Sequence, residues 1–512
     1  MRLKQFKIKN FRGYNDEVEI SLDDLTVFVG KNDIGKSTVL KAMDIFFNEA
    51  KGTIKFDKDD VNKAALDGGD DETVFTAIFE NLPASIIIDE TNPTVLANEY
   101  LLNNDGDLEI IKRYKNAGKE KVFIKVNHPT HSLCSDLFSA KPADLRRILD
   151  GENIECENRS KNAIMRAAIW THFQDELALE EILLDVSKGE TKTIWDKLRL
   201  KLPLYSLFQS DRKNSDGDNE VQDPLKEAVK QILSDTQLQN KLREVSEEVK
   251  EKLSEVSNKT LEKLREMNPE IADSLDPKIP DDEALKWNDV FKNVSITGDD
   301  DIPINKRGSG VKRLVLINFF RAEAEHRREQ ADIPSIIYAI EEPETSQHYE
   351  HQRQLVNALL ELSNTENTQI FLTSHSSIIV KSLQFGDLRL ISSDNGQKQI
   401  SDIEPTCLSY PSLNEVNFSA FGEITEEYHN ELNEHLKNEQ APDTGIKQFD
   451  QIFFQDVLGE SKTFPWLTYP NEVSIHTFIR NQIHHRADNG VPDPRELKNS
   501  IIVMRDYILE NN

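Results

Sequence analysis

Cysteine is scarce. The 512-residue chain carries only Cys134, Cys156 and Cys407, too widely spaced for a disulfide framework or a thiolate metal site. That suits a reducing compartment, and a cytoplasmic location is expected. No apolar run reaches the ~18 residues of a membrane span. The N-terminal MRLKQFKIKNF alternates apolar and basic residues, as an amphipathic strand does, and lacks the continuous apolar core of a signal peptide. Basic charge is in deficit: 62 Lys and Arg stand against 91 Asp and Glu, for a net charge of −29. Such a surface repels nucleic acid at long range. Any contact with DNA or RNA must use a local patch or a partner; Lys4, Lys7, Lys9 and Arg12 are one candidate patch, and a solvated strand face is the favoured reading of them. Internal repeats, collagen-like tracts and proline-rich tracts are absent as well.

What is present suits a soluble globular protein with polar helices: 37% hydrophobic and 30% charged residues, with length for roughly two to four domains. Residues 1–145 are rich in β-branched and aromatic runs (KQFKIKNF, EVEISL, LTVFVG, TVFTAIFE, LEIIKRY, KVFIKV) separated by turn residues. Residues 146–285 read as a helical insertion. Its last part is a long breaker-poor stretch in which Leu242, Val245, Val249 and Leu253 recur at helical spacing, predicting an arm or hairpin. Strand signals return over 286–405, and 406–512 reads as a polar helical domain.

The stretch GKNDIGKST fits the phosphate-loop pattern G-x-x-x-x-G-K-[ST]. Gly30, Asn32, Gly35, Lys36, Ser37 and Thr38 are the candidate ATP-binding residues. An apolar strand, LTVFV, leads in, and a helical pattern, STVLKAMDIFF, leads out. That order lets backbone N–H groups and a helix N-terminus surround phosphate oxygens. Lys36 would reach the β- and γ-phosphates and Ser37 would ligate Mg²⁺.

A second metal-side acid is missing nearby but is supplied far along the chain. SIIYAIEEPE is an apolar strand ending in acids, the Walker B pattern. Glu341, where aspartate is usual, is the candidate Mg²⁺ residue, and Glu342 the candidate base that polarises water. LTSHSSIIV then places Thr373, Ser374 and His375 at the next strand end, where His375 can touch the γ-phosphate or the attacking water; capping of the following helix is the plainer role for it. Upstream, Arg307, Ser309 and Gly310 of RGSG open another helix and form a second candidate anion site.

GKNDIGKS, RGSG, IEEPE and TSHS, in this order around a helical insertion, resemble the ABC/SMC-type α/β ATPase heads of the "overcoming lysogenisation defect" group. The leading K-x-F-x-I-x-N-F-R-G is also similar to that group and to the DNA-repair ATPase RecF. Many members of the group carry a C-terminal Toprim nuclease. No D-x-D follows His375, and little strand character is expected there, so that nuclease is read as absent. FGEITEEYH and SIHTFIRNQIHHRADNG resemble the PtuA-type ATPase subunits of Septu and retron-associated antiphage systems. The resemblance implies ATP and Mg²⁺ as cofactors. It also implies homo-oligomers through the heads, with the RGSG signature of one subunit facing the γ-phosphate held by the other, and an HNH nuclease subunit as partner. Two alternatives stay open. Arg480, Asn481 and His485 match the R-N-x-x-x-H motif of HEPN ribonucleases, which would make the chain an ATPase-controlled toxin. A RecF-like repair ATPase is the other, and the acidic charge argues against it.

Overall fold

The computed structural model describes residues 1–209 except 51, 90–91 and 189–190, short helical pieces between 233 and 251, and 335–511 except 346–348, 395, 405–406, 409, 462–463 and 467–468. The chain divides into two units, residues 1–210 with 324–512, and residues 211–323. The second is described only in its helical pieces, so most of the expected arm, including Leu253, lies outside the described residues.

Two sheets organise the first unit. One has the order β2-β1-β4-β7-β8-β9, with β1 Arg2–Lys9, β2 Val18–Ser21, β4 Glu72–Glu80, β7 Leu108–Lys115, β8 Glu120–Pro129 and β9 Leu179–Asp185. All its pairs are antiparallel. The other has the order β10-β11-β12-β3-β13-β14, with β3 Leu25–Val29, β10 Leu204–Phe208, β11 Ile336–Glu341, β12 Thr368–Thr373, β13 Leu388–Asp394 and β14 Gln397–Asp402. It is parallel throughout apart from the β13–β14 edge. A small hairpin, β5 Ile86–Asp89 and β6 Asn92–Thr94, belongs to neither sheet.

The central strands β3, β11 and β12 are buried at every residue. Such continuous apolar runs are what a parallel sheet covered on both faces demands. Helix α1, Lys36–Phe47, joins the two sheets in one core. Phe46 on α1 meets Phe6 of β1 edge to face at 5.7 Å, and Tyr205 of β10 donates a hydrogen bond to the Leu40 carbonyl at 2.7 Å. The sheets are also stitched by one side chain. β1 is bulged between Leu3 and Gln5, and there the Gln369 amide of β12 accepts from Leu3 N (2.8 Å) and donates to Leu3 O (2.9 Å).

The segment expected to be helical from residue 146 is only partly so. Helices α2, Pro142–Gly151, α3, Asn162–His172, and α4, Lys192–Leu198, form. Between and after them β9 and β10 enter the two sheets as edge strands. Unmet strand edges on β8 and β11 decide those conformations, overriding local pattern. The region after His375 likewise carries more strand than expected, in β13, β14 and a short hairpin of β15 Phe464–Trp466 and β16 Tyr469–Val473.

From Cys407 onward a second hydrophobic cluster forms, built on Tyr428, Leu432, Phe449, Phe453, Ile479 and Ile501. After α5 Tyr349–Ser363 and α6 Leu413–Phe421, it unites α7 Glu426–Gln440, α8 Ile446–Phe449, a π-helical turn at Asp450–Val457, α9 Ile475–His484 and α10 Pro494–Asn511. Among the described residues no helix is long and apolar enough to cross a membrane.

Candidate nucleotide site

β3 delivers Gly30 into the loop with φ 143°, and a Cβ there would stand 2.6 Å from the Ile391 carbonyl oxygen. Only glycine fits. Asp33 and Gly35 also take positive φ, 59° and 110°, which curls the chain before α1 begins at Lys36. The helix start has no side-chain cap and no acid in its first turn. Its N–H groups and dipole are therefore open to an anion. Lys36 folds back and donates to the carbonyls of Gly30 and Lys31, both at 2.9 Å. Burial pushes its ammonium below the usual lysine range, while Glu342, Glu344 and Asp33 oppose that shift. Asn32 is exposed, Ser37 and Thr38 are half-buried, and Thr38 N donates to Gly35 O at 3.1 Å. Two supports came from beyond the motif. Tyr14 Oη donates to Gly35 O (3.2 Å) and Lys398 Nζ of β14 to Ile34 O (2.5 Å).

Sheet register brings the distant acids to this loop. Thr373 lies level with Glu341 on one side and with Phe28 on the other, so β3, β11 and β12 finish at one edge. Glu341 is 6% exposed. Burial raises its pKa, with Lys41 and Gln209 acting against the shift. Its Oε1 has no hydrogen-bond partner, and Lys41 Nζ of α1 sits 3.5 Å away. A buried carboxylate oxygen left open beside a cation fits a metal ligand. Among the described residues no His, Cys, Asp and Glu group could hold a metal alone. One carboxylate and the Ser37 hydroxyl suit Mg²⁺, which takes its remaining ligands from phosphate and water.

Glu342 has φ 42°, an uncommon conformation for a residue with a Cβ. It is held there because its N–H donates to Thr373 O (3.0 Å) and Thr373 Oγ1 (3.1 Å). Its Oε1 lies 3.5 Å from His375 Nδ1. Local backbone strain of this kind clusters at functional sites. Glu344 completes the group and was not singled out from sequence. It is 4% exposed, and its Oε1 accepts from Ser374 Oγ (2.8 Å) and from His375 N (2.9 Å). The signal available was the third acid of IEEPE, one residue past the proline.

The structure thus brings Gly30, Gly35, Lys36, Ser37, Glu341, Glu342 and His375 to one edge. Arg307, Ser309 and Gly310 lie outside the described residues. Arg480, Asn481 and His485 lie on α9 and just beyond its end. Asn481 is 1% exposed with its Nδ2 unpartnered inside the bundle, Arg480 is half-buried, and His485 is exposed.

A protein-family model described as an AAA ATPase domain, AAA_15, matches residues 1–380. The chain belongs to this family, and it is an α/β P-loop ATPase. Comparison with curated proteins gives no match. Similar solved structures include an SMC head bound to the C-winged helix domain of ScpA (13% identity, 79% of this chain and 98% of that one, TM-score 0.37). Another is the SMC head domain from Thermotoga maritima (14%, 79% and 100%, 0.33). A third is an Smc head with an extended coiled coil bound to the C-terminal domain of ScpA derived from Pyrococcus furiosus (12%, 78% and 96%, 0.35).

Proposed function

We propose that the chain is the ATP-hydrolysing subunit of a cytoplasmic bacterial antiphage complex, an ABC/SMC-type head that works as a homo-oligomer and controls an HNH nuclease partner. One observation carries the ATPase part: the phosphate loop, the Glu341–Glu342 pair and His375 meet at the aligned ends of adjacent parallel strands. The N–H groups of the loop and of the α1 start bind the phosphates, and Lys36 leaves the loop carbonyls to pair with the β- and γ-oxygens. Glu342 takes the proton of the attacking water, and His375 orients that water or the γ-phosphate. Mg²⁺, held by Ser37 and Glu341, would offset the charge that develops on the phosphate oxygens. The antiphage role and the HNH partner rest on the sequence resemblance of FGEITEEYH and of the tail from Ser474 to Gly490.

The ribonuclease alternative draws little support, because Asn481 faces the bundle interior. The experiment is to purify the chain alone and with the product of a neighbouring HNH reading frame, and to assay ATP turnover and DNA and RNA cleavage. Turnover by the chain, with cleavage only in the pair, is the expected outcome. RNA cleavage by the chain alone that His485→Ala stops, with ATP turnover unchanged, replaces this reading with the ribonuclease.

A further inference from the structure

We propose that Glu344 is a positioning residue for hydrolysis, fixing the turn that carries His375 against Glu342; this deepens the ATPase reading above and rests on it. Glu344 acts on the Lys36 ammonium of the phosphate loop through its charge. Its Oε1 takes two hydrogen bonds from the end of the neighbouring strand, from Ser374 Oγ at 2.8 Å and His375 N at 2.9 Å. Ser374 Oγ in turn accepts from Ser376 N at 3.0 Å. The Ser376 hydroxyl then caps the helix Ser377–Lys381 through Ile379 N at 3.4 Å and donates to Gln352 at 2.8 Å. One carboxylate oxygen thus anchors the whole passage from strand to helix.

The imidazole is placed by the same contact. His375 Nδ1 stands 3.5 Å from Glu342 Oε1 and 3.6 Å from Glu344 Oε1, between the two acids. Its side chain is 46% exposed, so solvent offers it other orientations. The backbone bond to Glu344 limits where the ring can reach. The second oxygen, Oε2, is buried with no hydrogen-bond partner. A buried acid so placed costs folding free energy that an apolar side chain would not. The fold keeps it where its two accepted bonds aim the residue beside the base.

If Glu344 acts through His375, its removal frees the turn and leaves the phosphate cradle intact. Glutamine offers the same acceptor oxygen and should serve nearly as well. The experiment measures affinity for a non-hydrolysable ATP analogue and single-turnover ATP hydrolysis in the full chain, with Mg²⁺. Glu344→Ala should lower the hydrolysis rate by about 10- to 100-fold, the scale of a misplaced catalytic group, with affinity within about threefold. Glu344→Gln should stay within about fivefold of the parent. In the double variant with His375→Ala, the loss should not exceed that of His375→Ala alone, since residues acting as a unit are non-additive. Ser374→Ala removes one of the two bonds from the other side and should slow hydrolysis in the same pattern, which keeps the test open should Glu344→Ala not fold.

Equal loss of affinity and rate, a glutamine variant as impaired as alanine, or additive losses in the double variant would each overturn the proposal. So would unchanged hydrolysis in both Glu344→Ala and Ser374→Ala while the parent turns over ATP, and that result leaves the ATPase reading standing. A parent chain that neither binds nor hydrolyses ATP removes both.

Discussion

Lys41 and Glu341 face each other across the site, the Nζ of one 3.5 Å from the Oε1 of the other. The pair joins the helix after the phosphate loop to the Walker B strand. It places a protein cation where the open carboxylate oxygen would otherwise be bare. Glu341→Gln keeps the shape and removes the charge. The Mg²⁺ concentration for half-maximal ATP turnover should then rise by about tenfold or more, by analogy with the loss of a supporting ligand group. A Mg²⁺ titration of turnover checks this, and an unchanged midpoint would take Glu341 out of the metal site.

Lys36→Ala removes the charged group that the phosphate loop turns inward on its own carbonyls, and ATP binding should be lost. Glu342→Gln keeps the cradle and removes the base. It should bind ATP but turn over slower by about 10²–10⁴-fold, the usual worth of a general base. Equilibrium binding and phosphate release separate the two variants. Near-normal turnover in both would refute the assignment.

Mixed oligomers test where the signature acts. Lys36→Ala and Ser309→Arg should each be inactive alone. Co-expressed, they would form one doubly damaged site and one site that joins an intact loop to an intact signature, so partial ATPase activity should return. No recovery in demonstrated mixed dimers would mean a site within one chain, or two sites that must fire together. ATP binding by isolated Ser309→Arg subunits distinguishes these: a site within one chain binds equally well without a partner.

The C-terminal bundle should be acid-sensitive. His429 on α7 and His476 on α9 both contact Ser500 Oγ of α10, at 2.8 and 2.7 Å. His429 Nδ1 has no partner. Burial, with His476 adding to it, pushes the His429 pKa down to about 3. His476 is also lowered by burial, although Glu460 and Asp450 oppose that. The folded state therefore keeps His429 neutral where the unfolded chain takes up a proton. Stability is full above the ordinary histidine value of about 6.5 and falls as pH drops toward 3, by about 1.4 kcal/mol per pH unit for this one group. Urea midpoints followed by circular dichroism between pH 7.5 and 5 should show the slope. His429→Gln should flatten it.

Much of the site was legible because its motifs are local. GKNDIGKST contains its own turn glycines, and SIIYAIEEPE its own strand and acids. What escaped was set by distant chain. β9, within LALEEILLDV, has apolar spacing compatible with a helix, and pairing with β8 makes it a strand. Lys398 reaches the phosphate loop and Gln369 clasps Leu3 from far along the sequence, and no short window contains both partners. Glu344 was visible as a letter, but its bonds run to another strand.

The position of β3 also bears on how the protein is made. The strand that carries the phosphate loop lies between β12 and β13, both synthesised after residue 367. At roughly 5–20 residues per second, the ribosome leaves β3 with two bare edges for an interval on the order of tens of seconds. The antiparallel sheet, apart from its β9 edge, is complete by residue 129 and can shelter α1 in the meantime. A nascent chain stalled at residue 330 should therefore resist protease over much of residues 72–129 yet retain no ATP, and one released past residue 402 should acquire both properties.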